Sequence, residues 1–209
     1  MFLDKKATSV IEAIVVLFIV VSWVVWMYQV FWSSQKLSNS TANKIQAIQI
    51  AREWIEAMKN IRDTNWILYS SDTVNCWNVD NYENNCVWDS NTTYDIKNIT
   101  GKSYIIYQKS DNRWYLESKT AHVDNYKDSW YRTNFEVFTD SNWFFTQTWI
   151  LNSTKFKIKP LFTREIKISY TNNSNDPKME VISLVKWVDL SSNKPHKVRF
   201  KSILTNWKK

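Results

Sequence analysis

The sequence AIVVLFIVVSWVVWMYQVFW, residues 13–32, determines how the rest of the chain is organised. These twenty residues carry no charge, and about 20 apolar residues are what an α-helix needs to cross a bilayer. Residues 8–35 are therefore predicted to form a transmembrane helix. A secretory signal peptide would have a shorter apolar core followed by a cleavage site of small residues, which this segment does not offer. Lys5 and Lys6 lie just before the span, so the positive-inside rule places the N-terminus in the cytoplasm and the chain beyond about residue 36 outside the cell membrane.

Residues 36–66 are predicted to continue the helix with apolar side chains on one face only. The apolar residues recur at intervals of three and four, which is typical of an amphipathic helix with one side to bury. No proline precedes Pro160, so the span and this segment can form one continuous helix. Residues 38–41, Ser-Asn-Ser-Thr, are where we expect it to bend or fray. The apolar face consists of Ala47, Ile48, Ile50, Ala51, Ile55, Met58 and Ile61, and the charged face of Arg52, Glu53, Glu56, Lys59 and Arg62.

Residues 67–209 change to the patterns of β-strands and are predicted to form a β-rich domain. In residues 162–170 large side chains alternate with polar ones, which predicts a half-buried strand. The other predicted strands are residues 104–108, 114–118, 135–138, 179–188 and 197–204, with a hairpin loop at 189–195. The fold class is therefore α+β: a long N-terminal transmembrane and amphipathic helix packed on a C-terminal antiparallel sheet.

The composition departs from the average in two complementary ways. The chain has 1 Gly and 13 Trp, whereas a usage of roughly 7% predicts about 15 glycines at this length. If all but three of the tryptophans were glycines, both counts would be ordinary. We interpret the sequence as that of a bacterium that reads the UGA codon as glycine, translated with a table that reads it as tryptophan. The alternative is a domain that is truly rich in tryptophan and poor in glycine.

The positions of individual tryptophans favour this recoding hypothesis. Several stand in polar runs where a turn needs the backbone freedom of glycine, whereas others stand where an aromatic side chain is expected. Gly101 would have used an ordinary glycine codon. The first group comprises Trp77, Trp88, Trp130 and Trp143, and the second comprises Trp66, Trp187 and Trp207.

The charge is positive and unevenly distributed. The formal net charge is +7, and residues 155–209 hold 13 basic and 4 acidic side chains. Such a balance allows contact with nucleic acid, anionic lipid or an acidic polysaccharide. The simpler interpretation is a solvated, lysine-rich strand face, so binding of nucleic acid is only weakly supported by the sequence.

The small number of chemically reactive side chains argues against an enzyme. A metal site of four Cys and His ligands would use both cysteines and both histidines, and their spacing fits no zinc pattern. The sequence contains no recognisable Ser-His-Asp order, nucleophile elbow or phosphate-binding loop. We therefore predict no catalytic residues, no metal and no cofactor, and interpret His122 and His196 as surface or strand residues.

The segment KKATSVIE that begins at Lys5, followed by the apolar span, resembles the N-terminal processing signal of type IV prepilins and pseudopilins. In that family a prepilin peptidase cuts after a short basic leader, and the new N-terminus is methylated. The resemblance implies a leader of residues 1–7, with its charge on Lys5 and Lys6, and a cut between Ala7 and Thr8. Ala7 stands where the family usually has glycine, and Thr8 stands where it usually has phenylalanine.

Glu12 would become the fifth residue of the mature chain, where the family places its glutamate. The resemblance implies that Glu12 of an incoming subunit pairs with the new α-amino group on Thr8 of its neighbour and so sets the axial register. The alternative is that a carboxylate in the first helical turn is favoured by the helix dipole and reaches the membrane interface without a partner.

Two further stretches resemble prepilin-like proteins of uncultured bacterial lineages with small genomes. One is AREWIEA at residues 51–57 with NIRDTNW at 60–66, where the fourth residue is typically glycine, so Trp54 is the best-supported recoded position. The other is the closing pattern, in which residues 185–187 and 196–198 precede LTNW at 204–207. The resemblance therefore covers both ends of the chain and leaves residues 67–160 without a counterpart.

The resemblance implies a structural function. The chain would be a single-pass membrane protein, a subunit of a type IV pilus-like filament or of a secretion pseudopilus, that assembles at the cell surface. Its partners would be the prepilin peptidase, other pilin subunits in a homo- or heteropolymer, the inner-membrane assembly platform and membrane lipid. The alternative is a signal-anchored adhesin or receptor that does not assemble.

Cys76 and Cys86 are the two cysteines, and they lie in a loop-rich region predicted to be outside the membrane. Disulfides persist in such compartments, so we predict that the two cysteines bond to each other. Metal binding or catalysis by this pair is the weaker interpretation, because no histidine lies nearby in the sequence.

Overall fold

The computed structural model describes residues 4–79, 82, 86–87, 103–109, 111–119, 134–139, 145–147, 156–157, 162–171, 177–189 and 194–206, with the backbone alone for 4–9 and 156–157. The chain divides into two compact units, Met1–Asn43 and Lys44–Lys209.

Helix α1 runs Asp4–Leu68, so both predicted helical segments are helical. The helical pattern continues through residues 38–41, and the expected fraying at this point is wrong. Within a long helix each added residue gains a hydrogen bond, which outweighs the modest helix propensities of serine, threonine and asparagine.

In the first unit, α1 is long and apolar enough to cross a membrane. The side chains of residues 10–39 are all exposed. A helix that is apolar on all sides and has no core of its own is typical of a membrane span. Ser22 is one of its few polar residues, and its hydroxyl donates to the Phe18 carbonyl oxygen one turn earlier at 2.8 Å.

The second unit contains a five-stranded antiparallel sheet in the order β2–β1–β6–β7–β8. Its strands are β1 (Ser103–Gln108), β2 (Trp114–Lys119), β6 (Phe162–Thr171), β7 (Lys178–Val188) and β8 (Pro195–Thr205). The five corresponding predicted strands are confirmed. The predicted hairpin loop is also confirmed, because Val188 pairs with Pro195 and the Asp189 amide donates to the Lys194 carbonyl oxygen at 3.0 Å.

A smaller three-stranded sheet has the order β4–β3–β5. Its strands are β3 (Phe138–Thr139), β4 (Phe145–Thr146) and β5 (Phe156–Lys157). The predicted strand at residues 135–138 is wrong in its extent. Residues 134–135 form a helical turn, Glu136 makes an isolated bridge to Thr163, and the strand begins at Phe138. A run of four residues is too short to separate these possibilities by periodicity.

The core lies between one face of α1 and one face of the larger sheet. The predicted apolar face of the helix is confirmed, with Met58 fully buried and Ile61 1% exposed. Burying a side chain of this size contributes about 1.5–3 kcal/mol relative to leaving it in water. The helix residues pack in two clusters, one with Tyr104, Ile106, Ile166, Ile168, Met179, Val181 and Leu204, and the other with Val137, Phe162, Val185 and Trp187.

Strand β6 departs from the half-buried pattern in its first half, where both faces are buried. Glu165, expected on a solvated face, has no exposed surface. Its carboxylate accepts a hydrogen bond from the Ser103 hydroxyl and lies 3.5 Å from Lys167 Nζ and 4.0 Å from Lys186 Nζ. The carboxylate tolerates burial because it is both hydrogen-bonded and paired.

Candidate functional site

The predicted processing site lies in the first turns of α1. The backbone is helical from Asp4, so Lys5, Lys6, Ala7 and Thr8 all belong to the helix. Their side chains lie outside the described residues. A cut between Ala7 and Thr8 would leave a helix that begins at its new α-amino group.

Glu12 lies one helical turn after Thr8 and is exposed. It is followed by 23 uncharged residues up to Lys36. The rise from Thr8 to Glu12 is about 6 Å, and side chains of a helix lean toward its N-terminus. The Glu12 carboxylate therefore leans toward the position of the new α-amino group. Because both groups are polar and adjoin an apolar surface, they could pair with each other or with the same groups of another copy.

The predicted disulfide is present. Cys76 and Cys86 are bonded, with their Cα atoms 5.2 Å apart, and both are buried. Cys76 ends the short helix α2 (Thr73–Cys76), whose N-cap is Asp72. The Asp72 carboxylate accepts the Asn75 backbone amide at 3.1 Å, as an N-cap does.

Two buried asparagines fasten this disulfide segment to the rest of the unit. Asn65, near the end of α1, donates its amide to the carbonyl oxygens of Trp77 at 3.3 Å and Val79 at 2.8 Å. Asn206 accepts the Trp66 indole N–H at 3.1 Å and donates to the Thr73 carbonyl oxygen at 3.1 Å. The two stretches that carry the prepilin resemblance therefore meet at Trp66 and Asn206. Sequence patterns did not reveal these roles, because nothing in a sequence tells which asparagine is buried.

We expect a chain with Cys76→Ser and Cys86→Ser to keep its sheet and to loosen only between these positions. In the chain-entropy model a bond that closes so short a loop contributes roughly 2–3 kcal/mol, and the hydrogen bonds of Asn65 and Asn206 remain. Limited proteolysis followed by peptide mapping should show new cuts within residues 77–86 and intact β6–β8. Cuts throughout the sheet would instead mean that the bond holds the whole unit together.

A buried charged cluster connects α1 to β6. Arg164 has no exposed surface, and its Nη1 lies 3.5 Å from Glu53 Oε2. The Arg164 Nε donates to Gln147 Oε1 at 3.4 Å, and Gln147 in turn donates to the Arg164 carbonyl oxygen at 2.7 Å. Burial raises the pKa of Glu53 against the opposing effect of Arg164, and burial lowers the pKa of Arg164. Glu53 was expected on the charged outer face, but its side chain is 25% exposed and reaches inward.

The Trp54 indole is packed against this cluster at very short range. The Arg164 Cζ lies 3.0 Å from the centroid of the ring, well within the roughly 6 Å at which a guanidinium is attracted to an aromatic face. The indole N–H of Trp54 and the Nη2 group of Arg164 are both buried and have no acceptor among the residues that the structure describes. Two unsatisfied donors therefore coincide at the position where the resemblance places glycine.

No family model matches the chain, and neither a curated protein nor a solved structure matches it. The resemblance to type IV pilins therefore remains a prediction. Within the described ranges, no group of three His, Cys, Asp or Glu side chains could hold a metal ion.

The structure distinguishes among the tryptophans. Trp66 and Trp187 are packed aromatics, as expected: the Trp66 indole N–H is hydrogen-bonded, and Trp187 stacks on His196 at 5.3 Å. The argument for glycine is wrong at Trp77, because its φ of −63° suits any residue and its side chain is 1% exposed. The predicted turn is present at residues 77 and 78, but it does not need glycine, and the indole packs 6.2 Å from the Tyr170 ring. Trp88, Gly101, Trp130, Trp143 and Trp207 lie outside the described residues.

Recoding can be tested directly in protein from the native organism. We expect peptide mass spectrometry covering residues 51–59 to find glycine at position 54. The peptide that contains Trp66 serves as the control and should carry tryptophan. Tryptophan at position 54 would refute recoding at its best-supported position.

Proposed function

We propose that this chain is the structural subunit of a type IV pilus-like filament or of a secretion pseudopilus. The observation that carries the proposal is helix α1. Its side chains are exposed over residues 10–39, most of them apolar up to Trp32, and between Ala47 and Trp66 the same helix supplies one side of a folded core. One element therefore combines a membrane-compatible segment with the support of a folded domain.

The apolar part of α1 must be covered both in the membrane, before assembly, and in the filament, after assembly. Before assembly, lipid would surround it, with Lys5 and Lys6 in the cytoplasm and the sheet outside. After extraction from the membrane, the helices of neighbouring subunits would replace the lipid, since apolar side chains left in water cost free energy. The assembly platform of the inner membrane would supply the force for this exchange.

Processing prepares the N-terminus for assembly. The prepilin peptidase would remove residues 1–7, and the α-amino group of Thr8 would then be methylated. Glu12 supports this order of events, because a carboxylate next to an apolar surface favours a cationic partner when water is excluded. The α-amino group that cleavage creates is such a partner. On this proposal the chain is not an enzyme, and its task is to assemble.

The proposal is tested on the N-terminus of protein from native membranes and from purified surface filaments. We expect peptide mass spectrometry to find a chain that starts at Thr8 with a methylated α-amino group, and to find it in the filaments. Ala7→Leu, which enlarges the residue before the cut, should keep the leader and remain in the membrane. Ala13→Leu makes the same change beyond the cut and should be processed like wild type.

A chain that keeps Met1 to Ala7 in its mature form, and is absent from filaments, would contradict the proposal. That result would favour a signal-anchored surface protein that binds an external partner.

A further inference from the structure

The edge strand β8 carries a basic row on the face of the sheet that points away from α1. The row consists of Lys197, Arg199 and Lys201, all of them exposed. Val198 and Phe200, which alternate with them, point to the other face and pack against the core. The three cations therefore form a line along one strand, with about 6.8 Å between neighbours.

The charge of the basic row is only partly neutralised. Lys201 Nζ pairs with Glu180 at 2.7 Å. Lys197 and Arg199 have no carboxylate partner among the residues that the structure describes. In the register of β7 and β8, Leu184 lies opposite Arg199, so the adjacent strand supplies no acid at that point.

The residue opposite Lys197 is not acidic either. Lys186 is 8% exposed and pairs across from Lys197 in the sheet. Its ammonium group lies 4.0 Å from the buried carboxylate of Glu165, which belongs to the neighbouring strand β6. Lys186 is therefore neutralised by Glu165, and it places no acidic side chain opposite Lys197.

We propose that the basic row binds the phosphodiester backbone of a nucleic acid. A nucleic-acid strand is a linear polyanion with one phosphate per 3.4 Å of duplex axis, or about twice that spacing when a single strand is extended. Three cations in a line match such a polymer. The outer backbone edge of β8 is unpaired within the described sheet, and its free N–H groups are further donors to phosphate oxygens.

The same features fit an anionic bilayer less well. Proteins that bind a membrane surface insert several apolar or aromatic side chains beside their cations. Val198 and Phe200 pack against the core, and Ile203, which is 56% exposed, is the single large apolar side chain that β8 exposes beside the row. Edge lysines also discourage pairing between sheets. If that were their entire role, no affinity for a polyanion would follow.

The test uses the full chain in nanodiscs of zwitterionic lipid, with fluorescence anisotropy of a labelled random-sequence DNA single strand and of its duplex. We expect binding whose logarithm falls with the logarithm of salt with a slope of about −2 to −3, the value for three phosphate contacts. The two DNA forms identify which backbone geometry the row prefers. Lys197→Glu with Arg199→Glu should weaken binding at least about tenfold at low salt.

The matched control is Lys44→Glu with Lys109→Glu, which changes the net charge equally at exposed positions away from the row. It should lose less than about threefold, because long-range attraction between exposed charges is screened by salt. Equal losses in both double variants, or no binding by the wild-type chain, would overturn the proposal. Tighter binding to vesicles containing anionic lipid than to DNA would also overturn it. None of these outcomes depends on leader cleavage or on filament assembly.

Discussion

Replacing Trp66 by glycine is expected to lower the free energy of unfolding by roughly 4–6 kcal/mol, whereas the same replacement at Trp54 lowers it by roughly 1–3 kcal/mol. Truncating a buried tryptophan to alanine usually costs about 3–5 kcal/mol, and glycine within a helix costs about 1 kcal/mol more. Trp66 should show this full loss, because its indole is 2% exposed and its N–H is paired with Asn206.

At Trp54 the loss of stability is smaller, because the indole leaves buried hydrogen-bond donors unsatisfied. Its removal eliminates one buried unsatisfied donor and frees space around the second, the Nη2 group of Arg164. Each unsatisfied donor costs about 1–3 kcal/mol. If recoding is right, the native residue at position 54 is glycine, and the neighbouring side chains pack against glycine there.

Denaturant unfolding of the full-length chain in detergent micelles, followed by circular dichroism, measures both variants against the same reference. The two positions form a matched pair, since both are buried tryptophans on α1. Similar large losses at both positions would mean that Trp54 is a true core residue, and the recoding hypothesis would then lose its structural support.

The second large effect is expected from Glu12→Val. Membrane insertion and leader cleavage should be unchanged, because valine is more apolar than glutamate and lies five residues beyond the proposed cut. Incorporation into filaments should fall at least about tenfold, because the α-amino group of Thr8 would be left in an apolar bundle without its anionic partner. Quantifying the subunit in sheared filaments and in membranes, in a strain with a single copy, gives the ratio directly.

Ser22→Val is the matched control for Glu12→Val. It also replaces a polar residue of the apolar segment by valine, but the Ser22 hydroxyl is satisfied by the Phe18 carbonyl oxygen within its own helix. We expect normal assembly of this variant. If Glu12→Val also assembles as well as wild type, Glu12 has no pairing role, and its position reflects only the preference for a carboxylate in the first helical turn.

The elements that were predicted well are those with long and regular patterns. The apolar segment of α1 and strands β7 and β8 extend over ten or more residues, so their periodicity outweighs local exceptions. The disulfide was predictable because the chain has only two cysteines. In contrast, the short strand β3 and the turn at residues 134–135 could not be separated in so brief a run.

The buried polar groups were the least predictable part of the candidate site. Glu53 matches the charged face of an amphipathic helix, yet it reaches Arg164 because both side chains are long. The position of Glu165 in the alternating pattern of β6 predicts a solvent-exposed side chain, yet Glu165 is buried between partners on three strands. Such outcomes depend on which residues the tertiary fold brings opposite one another, and local periodicity carries no information about that.

The hydrogen bond between Trp66 and Asn206 joins positions 140 residues apart. Closing a loop of that length costs on the order of 4 kcal/mol of chain entropy before any contact compensates for it. Strands β6, β7 and β8, in contrast, are successive neighbours and close over short connections, so they have the kinetic advantage of local contacts. The three C-terminal strands can therefore fold first as a meander, and the apolar face of α1 packs only after they have paired. Until that packing is complete, the face of α1 that is buried in the folded unit stays exposed as an aggregation-prone apolar surface.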